Sequence, residues 1–112
     1  MPAYRSSKGR LLTTFQPIVR ADRQIVVVAM VLCNTDTSNR TFQIQHVPAD
    51  GETSDDHALF HDTQIRAKVT QILDTPIFME AGDSIHALAS VADKVAMNIY
   101  TQDYDSFQRA SR

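Results

Sequence analysis

The sequence has little of the residues that define several protein classes. Cys33 is the only cysteine among 112 residues, so no disulfide can form within the chain. This fits assembly in a reducing cytoplasm. Tryptophan is absent and aromatic residues make up 7% of the chain. A carbohydrate-binding module usually presents exposed aromatic platforms, so this composition argues against one.

The chain also lacks an excess of charge of one sign and any long apolar run. It has 11 basic and 13 acidic residues, a formal net charge of −2 and a pI near 6.0. Proteins whose main partner is nucleic acid usually carry a basic excess, so we expect no nucleic-acid partner. No apolar run approaches the ~20 residues that span a bilayer. The N-terminal segment lacks the apolar core of a signal peptide, so we expect no membrane partner.

Catalytic motifs are absent as well. There is no Walker loop, no Gly-rich dinucleotide loop and no Gly-x-Ser-x-Gly elbow. Cys33 ends an apolar run, where cysteine usually behaves as a small buried hydrophobe, and no local signature marks it as a nucleophile. We therefore predict a protein that is not an enzyme and has no cofactor.

Two groups of residues have the chemistry of metal ligands without a convincing spacing. His57 and His61 would share one face of a helix, but Ala58 stands where a zinc protease motif needs glutamate. Four carboxylates of one loop have the oxygen ligands that calcium prefers: Asp50, Glu52, Asp55 and Asp56. We interpret both groups as a polar surface loop and predict no metal site. The histidines allow one further hypothesis, a small metal-dependent enzyme that uses His57 and His61 together with the strand histidines His46 and His86.

The strongest strand signal is Ile25–Cys33, which is rich in β-branched residues. Because it does not alternate, we expect both of its faces to be covered. A two-layer sandwich covers only one face of each sheet. The second face therefore requires a loop, a terminal arm or another subunit.

Several shorter segments alternate or are bounded by turn residues, which predicts further strands. In the segment 65–73, Ile72 falls on the same side as Lys68 and Thr70. In the last strand, Tyr100 falls with Ala96 and Asn98, opposite Val95, Met97 and Ile99. The other predicted strands are Leu11–Phe15, Arg40–Val47, Ile77–Met79 and Ser84–Ser90. About eight short strands predict an all-β fold, a single antiparallel β-sandwich or jelly-roll-like domain.

The ends of the chain are more polar than its middle. We predict an N-terminal arm over residues 1–10, a β-sandwich domain over residues 11–101 and a C-terminal tail over residues 102–112. Such arms often become ordered against a neighbouring subunit. The residues predicted to contact partners are Tyr4, Arg5, Lys8 and Arg10 in the arm, and Tyr104, Phe107 and Arg109 in the tail.

Over roughly residues 11–101 the chain resembles small β-sandwich virion structural proteins of tailed bacteriophages. The similar segments are the apolar strand that ends in Leu32-Cys33-Asn34-Thr35, the polar return strand 41–47, and the strand, Gly-Asp turn and alternating strand of residues 76–90. The resemblance implies a non-enzymatic component of the virion, assembled in the host cytoplasm. It would be a tail, neck or baseplate adaptor or fibre-anchoring subunit, or a capsid decoration protein. Its partners would be other virion proteins and symmetric copies of itself.

A second hypothesis, from another class, is a β-sandwich module that binds a carbohydrate or another small ligand. The absence of tryptophan weighs against a sugar site. The residues alone leave the small-ligand alternative open.

Overall fold

The computed structural model describes residues 5–110, and the side chains of residues 9–109. These residues form nine strands, a short 3-10 turn at Asp55–His57 and one C-terminal helix. The strands are β1 (Arg5–Arg10), β2 (Gln16–Arg20), β3 (Ile25–Asn34), β4 (Arg40–Val47), β5 (Ala58–Ile65), β6 (Thr70–Leu73), β7 (Ile77–Met79), β8 (Ser84–Ala89) and β9 (Val95–Asp103). Helix α1 spans Tyr104–Ala110.

Two antiparallel sheets pack face to face, which confirms the predicted all-β sandwich. The first sheet has the order β1-β9-β3-β6, and β7 also pairs with β3. The second sheet has the order β2-β8-β4-β5. Strand β3 is central to the first sheet because it pairs with β9 along its length and with β6 and β7 on its other edge.

The core lies between the sheets and is built from the inward side of each strand. Phe42, Ile44 and Ile85 of the second sheet are fully buried, as are Leu32 and Ile99 of the first. Apolar surface removed from water contributes roughly 25 cal/mol per Å², so this layer supplies most of the stabilisation. The alternation that predicted β8 and β9 assigned their inward residues correctly, because successive strand side chains point to opposite faces.

Two predicted strands differ from the structure. Residues 11–15 are irregular because they carry the chain from one sheet to the other: Leu11 bonds to Val95 of the first sheet, and the Leu12 carbonyl accepts from Ala89 of the second. The predicted strand over 65–73 is interrupted by a turn in which Lys68 has a φ of 63°. β5 therefore ends at Ile65, and β6 begins only at Thr70.

The two ends of the described chain are also more regular than the sequence suggests. Residues 5–10, predicted as part of an arm, form β1 and pair with β9 from Arg5 beside Thr101 to Arg10 beside Ala96. Residues predicted as a tail extend β9 to Asp103 and then form α1. The polar composition of these segments conceals both elements, since neither shows a clear apolar period.

Candidate interaction surfaces

The outer face of the first sheet exposes large apolar side chains. Antiparallel partners in register point to the same side of a sheet. Ile72 lies beside Val31, Tyr100 beside Ala29 and Phe78 beside Val26, all on the side away from the core. The exposed fractions are 66% for Ile72, 54% for Phe78 and 38% for Tyr100. Large apolar side chains that are grouped on one exposed face indicate an interaction surface more strongly than scattered ones do.

Helix α1 covers one corner of this face. It packs against β9 and β3, and the rings of Tyr104 and Phe107 meet the ring of Phe78 edge-on, with centroids 6.1 and 5.7 Å apart. Val26 and Gln102, which pair beside this corner, are 0% and 6% exposed although both point away from the core. The chain's own helix therefore covers the first half of β3.

The second half of β3 has no such cover within the described residues. Val31 and Cys33 are only half-buried, beside the exposed Ile72 and Thr70. The first half of this strand is covered on both faces as predicted, and the cover is the C-terminal segment folded as α1. For the second half, cover by another subunit stays a prediction.

The residues predicted to contact partners fall in three places. Tyr4 lies outside the described residues, and Arg5 and Lys8 are placed only by their backbone, in β1. Arg10 is exposed at the end of β1, and its guanidinium donates to the Asp93 carbonyl at 3.5 Å. In α1 the hydroxyl of Tyr104 accepts from Gln108 at 2.8 Å, and Arg109 donates to the Asp105 carbonyl at 3.4 Å.

These placements bring the two ends of the described part of the chain to one sheet. β1 begins beside Thr101, shortly before β9 leads into α1. Both ends therefore border the outer face of the first sheet. Two of the residues predicted to contact partners, Tyr104 and Phe107, pack instead against Phe78 of the same chain. Their role towards a partner remains a prediction.

The outer face of the second sheet is covered in part by a loop instead. Residues 48–57 fold back over β4, where Ser54 donates its N–H to the side chain of Gln45 at 2.9 Å. Gln45 and Val47 point away from the core, yet are 1% and 2% exposed. This polar segment, predicted as a surface loop, thus covers Gln45 and Val47 on the outer side of β4.

A carboxylate anchors that loop. Asp83 accepts hydrogen bonds from the Ala49 N–H at 3.1 Å, the Glu80 N–H at 3.0 Å and His46 Nε2 at 2.9 Å. Burial alone would raise the pKa of Asp83, but the hydrogen bonds from His46, Glu80 and Ala49 outweigh it and hold that pKa below the ordinary value. Asp83 is therefore an ionised tie between the loop, the turn before β8 and strand β4.

A pocket of about 330 Å³ opens on the other side of β8. It is lined by Pro17, Ile18, Val19 and Arg20 of β2 and by Ser84 and His86 of β8. The Ser84 hydroxyl lies 3.2 Å from His86 Nδ1. Burial, and secondarily the charge of Arg20, lower the pKa of His86 below its ordinary value of 6.5. The imidazole is therefore uncharged at neutral pH.

The predicted metal-ligand candidates are not brought together. His57 ends the 3-10 turn and His61 lies within strand β5, so they do not share a helix face; His61 is 3.6 Å from Asp62. Within the part of the chain that the structure describes, no three His, Cys, Asp or Glu side chains converge as metal ligands would. The same residues include no helix long and apolar enough to cross a membrane.

Sequence reasoning missed the exposed apolar side chains, although the signal was present. The alternation put Ile72 with Lys68 and Thr70, and Tyr100 with Ala96 and Asn98. A large apolar residue on the polar side of a strand is the pattern of an interaction surface. The pocket left no comparable signal, because it depends on a strand irregularity and on the pairing of β2 with β8.

The solved structures that are similar to this chain include two virus structures. One is the structure of infectious bursal disease virus Gx strain, with 11% identity, a TM-score of 0.47, and coverage of 93% of this chain and 31% of that chain. The other is the T13 IBDV viral particle, with 7% identity, a TM-score of 0.46, and coverage of 91% and 31%. The chain thus spans about a third of their length.

No protein-family model and no curated protein matches the chain. Because the identities and TM-scores of the two structures are low, function has to be argued from the chain's own surfaces.

Proposed function

We propose that this chain is a non-enzymatic structural protein of a virion and acts by packing against other subunits. The observation that carries the proposal is the outer face of the first sheet, where Ile72, Phe78 and Tyr100 remain exposed beside the half-buried Val31. Burial of each such side chain contributes roughly 1.5–3 kcal/mol to the free energy of association. Apolar burial of this kind is a usual driving force of subunit association.

The first partner we propose is a second copy of the chain. A contact between two copies related by a two-fold axis uses the same surface on both, so a single apolar face is sufficient. The formal net charge of −2 is small and opposes such an approach only weakly. The outer face of the second sheet is less suited to this contact, because the loop at residues 48–57 covers β4 with polar groups.

The finer assignment rests on the sequence resemblance. Within a tailed-phage virion, the protein would be a tail, neck or baseplate adaptor or fibre-anchoring subunit, or a capsid decoration protein. Arg5, Lys8, Arg10 and Arg109 would add polar contacts at the border of the apolar face. Substitution of these residues to alanine tests the polar contacts and keeps β1 in place. Removal of residues 1–9 would instead delete most of that strand.

Self-association is tested by sedimentation velocity over a range of protein concentrations. We expect a concentration-dependent oligomer, which Ile72→Asp and Tyr100→Asp weaken by at least tenfold, since each places a charge in the contact. The matched control is Leu59→Asp, which alters a side chain that is 39% exposed on the second sheet. A wild-type chain that stays monomeric at every concentration, or equal effects of Leu59→Asp and Ile72→Asp, would contradict the proposed surface.

The virion role has its own test. Mass spectrometry of purified particles from the virus that encodes the chain should find it in a copy number that matches a symmetry axis. Its absence from particles would refute the virion role, whatever the oligomeric state of the isolated protein.

A further inference from the structure

The pocket between β2 and β8 is formed by an irregularity in strand β2. In a regular strand, Pro17 and Arg20 would point to opposite faces, because their spacing is odd. The register shifts between Pro17 and Val19, so Pro17 pairs with His86 and Arg20 pairs with Ser84. The extra residue brings the guanidinium and the imidazole to the same outer side. Bulges that redirect a side chain in this way occur often beside functional sites.

Three polar groups that can donate hydrogen bonds meet in this pocket. Ser84 is 4% exposed, and its hydroxyl pairs with Nδ1 of His86. In the tautomer with the ring proton on Nε2, Nδ1 accepts from the Ser84 hydroxyl and Nε2 is a donor. Among the described residues, nothing accepts from His86 Nε2, and no hydrogen bond or ion pair engages the Arg20 guanidinium. In that tautomer two donors, one of them cationic, are free to bind an acceptor.

The remaining lining determines which acceptor fits. Pro17 and Ile18 provide apolar surface, Val19 borders the pocket while it packs against the core, and Arg20 is the only cation of the lining. One cation and one neutral N–H match a single negative charge, and a guanidinium binds a carboxylate with two parallel hydrogen bonds. The volume of about 330 Å³ accommodates a group of a few carbon atoms attached to it.

We propose that this pocket binds a carboxylate carried on a short branched apolar body, such as a small branched-chain carboxylic acid. The carboxylate lies between the Arg20 guanidinium and His86 Nε2, and the hydrocarbon lies on Pro17 and Ile18. Ser84 acts as a positioning residue that holds the imidazole. This site is on the second sheet and is independent of the subunit contact proposed for the first.

The test compares two ligands that differ mainly in charge. Isovalerate and its neutral isostere isovaleramide are titrated into the full chain, and amide chemical shifts are followed by NMR. We expect isovalerate to shift the amides of Ile18, Arg20 and His86 in a saturable manner, and isovaleramide to bind at least tenfold more weakly. A charge-assisted hydrogen bond contributes about 1.5–3 kcal/mol, which corresponds to roughly tenfold to a hundredfold in affinity.

Variants assign the effect to the named residues. Arg20→Gln and His86→Gln should each weaken isovalerate binding about tenfold or more. Arg66→Gln, which alters an exposed arginine elsewhere, should leave binding unchanged. Equal binding of the amide would overturn the proposal by showing that the pocket recognises only the hydrocarbon. Shifts spread over the surface, unsaturated at high concentration, or insensitive to Arg20→Gln would also overturn it.

Discussion

The outer faces of the two sheets are covered in different ways. A sandwich leaves each sheet with one face outside the core. On the second sheet, the loop at residues 48–57 folds over β4 and is tied to the sheet by Asp83 and Gln45. On the first sheet, α1 covers only the corner around Val26, and Ile72, Phe78 and Tyr100 remain exposed. The loop covers the outer side of β4 with polar, hydrogen-bonded groups, whereas the exposed apolar side chains of the first sheet are suited to contact a partner.

The largest effect is expected at Asn34, whose side chain links β3 of the first sheet to β5 of the second. Its buried side chain donates to the carbonyls of Ser38 and Ile65 and accepts from the Asp36 N–H, each at 3.0 Å. We expect Asn34→Ala to lower the free energy of unfolding by about 3 kcal/mol, since buried groups lose their partners. Urea denaturation measures this loss. Asn98→Ala, on the half-buried outer side of β9, is the control; equal losses would show that Asn34 does not link the sheets.

A second prediction breaks the closure of the second sheet by steric means. Gly82 has a φ of 93°, and a Cβ there would lie 2.8 Å from the Cβ of Ala49 in the covering loop. Gly82→Ala should therefore cost about 2 kcal/mol through backbone strain and overlap. Thermal or urea unfolding gives the value. At Gly9 a Cβ meets nothing within 4 Å. A Gly9→Ala variant as destabilised as Gly82→Ala would show that the loop contact is not the cause.

A third prediction removes the charge that holds the same loop. Asp83→Asn should lower stability by about 1.5 kcal/mol at pH 7, because three donors lose an ionised acceptor. The pKa of Asp83 is lower in the folded state, so its contribution is present above the unfolded pKa near 3.8 and is lost as the pH falls through the folded value. The difference between wild type and variant should therefore shrink in acid.

Urea unfolding at pH 7 and below about pH 4 follows this change. Glu52→Gln, in the same loop and exposed, should show little difference at either pH. A difference between wild type and Asp83→Asn that stays constant down to the lowest pH would refute the role of the charge.

The smallest effect is expected at the partly closed corner of the first sheet. Phe107→Ala removes a ring from Phe78 and should cost about 1 kcal/mol, because the position is only half-buried. Hydrogen exchange should become faster in α1 and hardly change in β4. Asp105→Asn, at an exposed position of the same helix, is the control. If exchange in α1 is unaffected by Phe107→Ala, the aromatic contacts do not hold the helix on the sheet.

Several parts of the fold were predictable because they depend on local pattern. Arg40–Val47 and Ile77–Met79 have the predicted limits as β4 and β7, and Ile25–Cys33 lies within β3. Alternation separated Val95, Met97 and Ile99 from Tyr100 correctly, because the period of a strand is fixed by its backbone. The turn at Gly82 follows from the positive φ that glycine adopts without strain.

Other features depend on contacts between residues distant in the chain, and only the tertiary structure decided them. Residues 11–15 looked like a strand, but they bridge the sheets through bonds to Val95 and Ala89. The polar C-terminal segment forms a helix that is held on the sheet by the ring contacts of Tyr104 and Phe107 with Phe78 of β7. Arg20 and His86 share a pocket because of one shifted register in β2. The sequence by itself determined the all-β class and the inward sides of most strands, since these follow from period and side-chain type. The coverage of each outer face was decided by packing across the sheets, which no local pattern encodes.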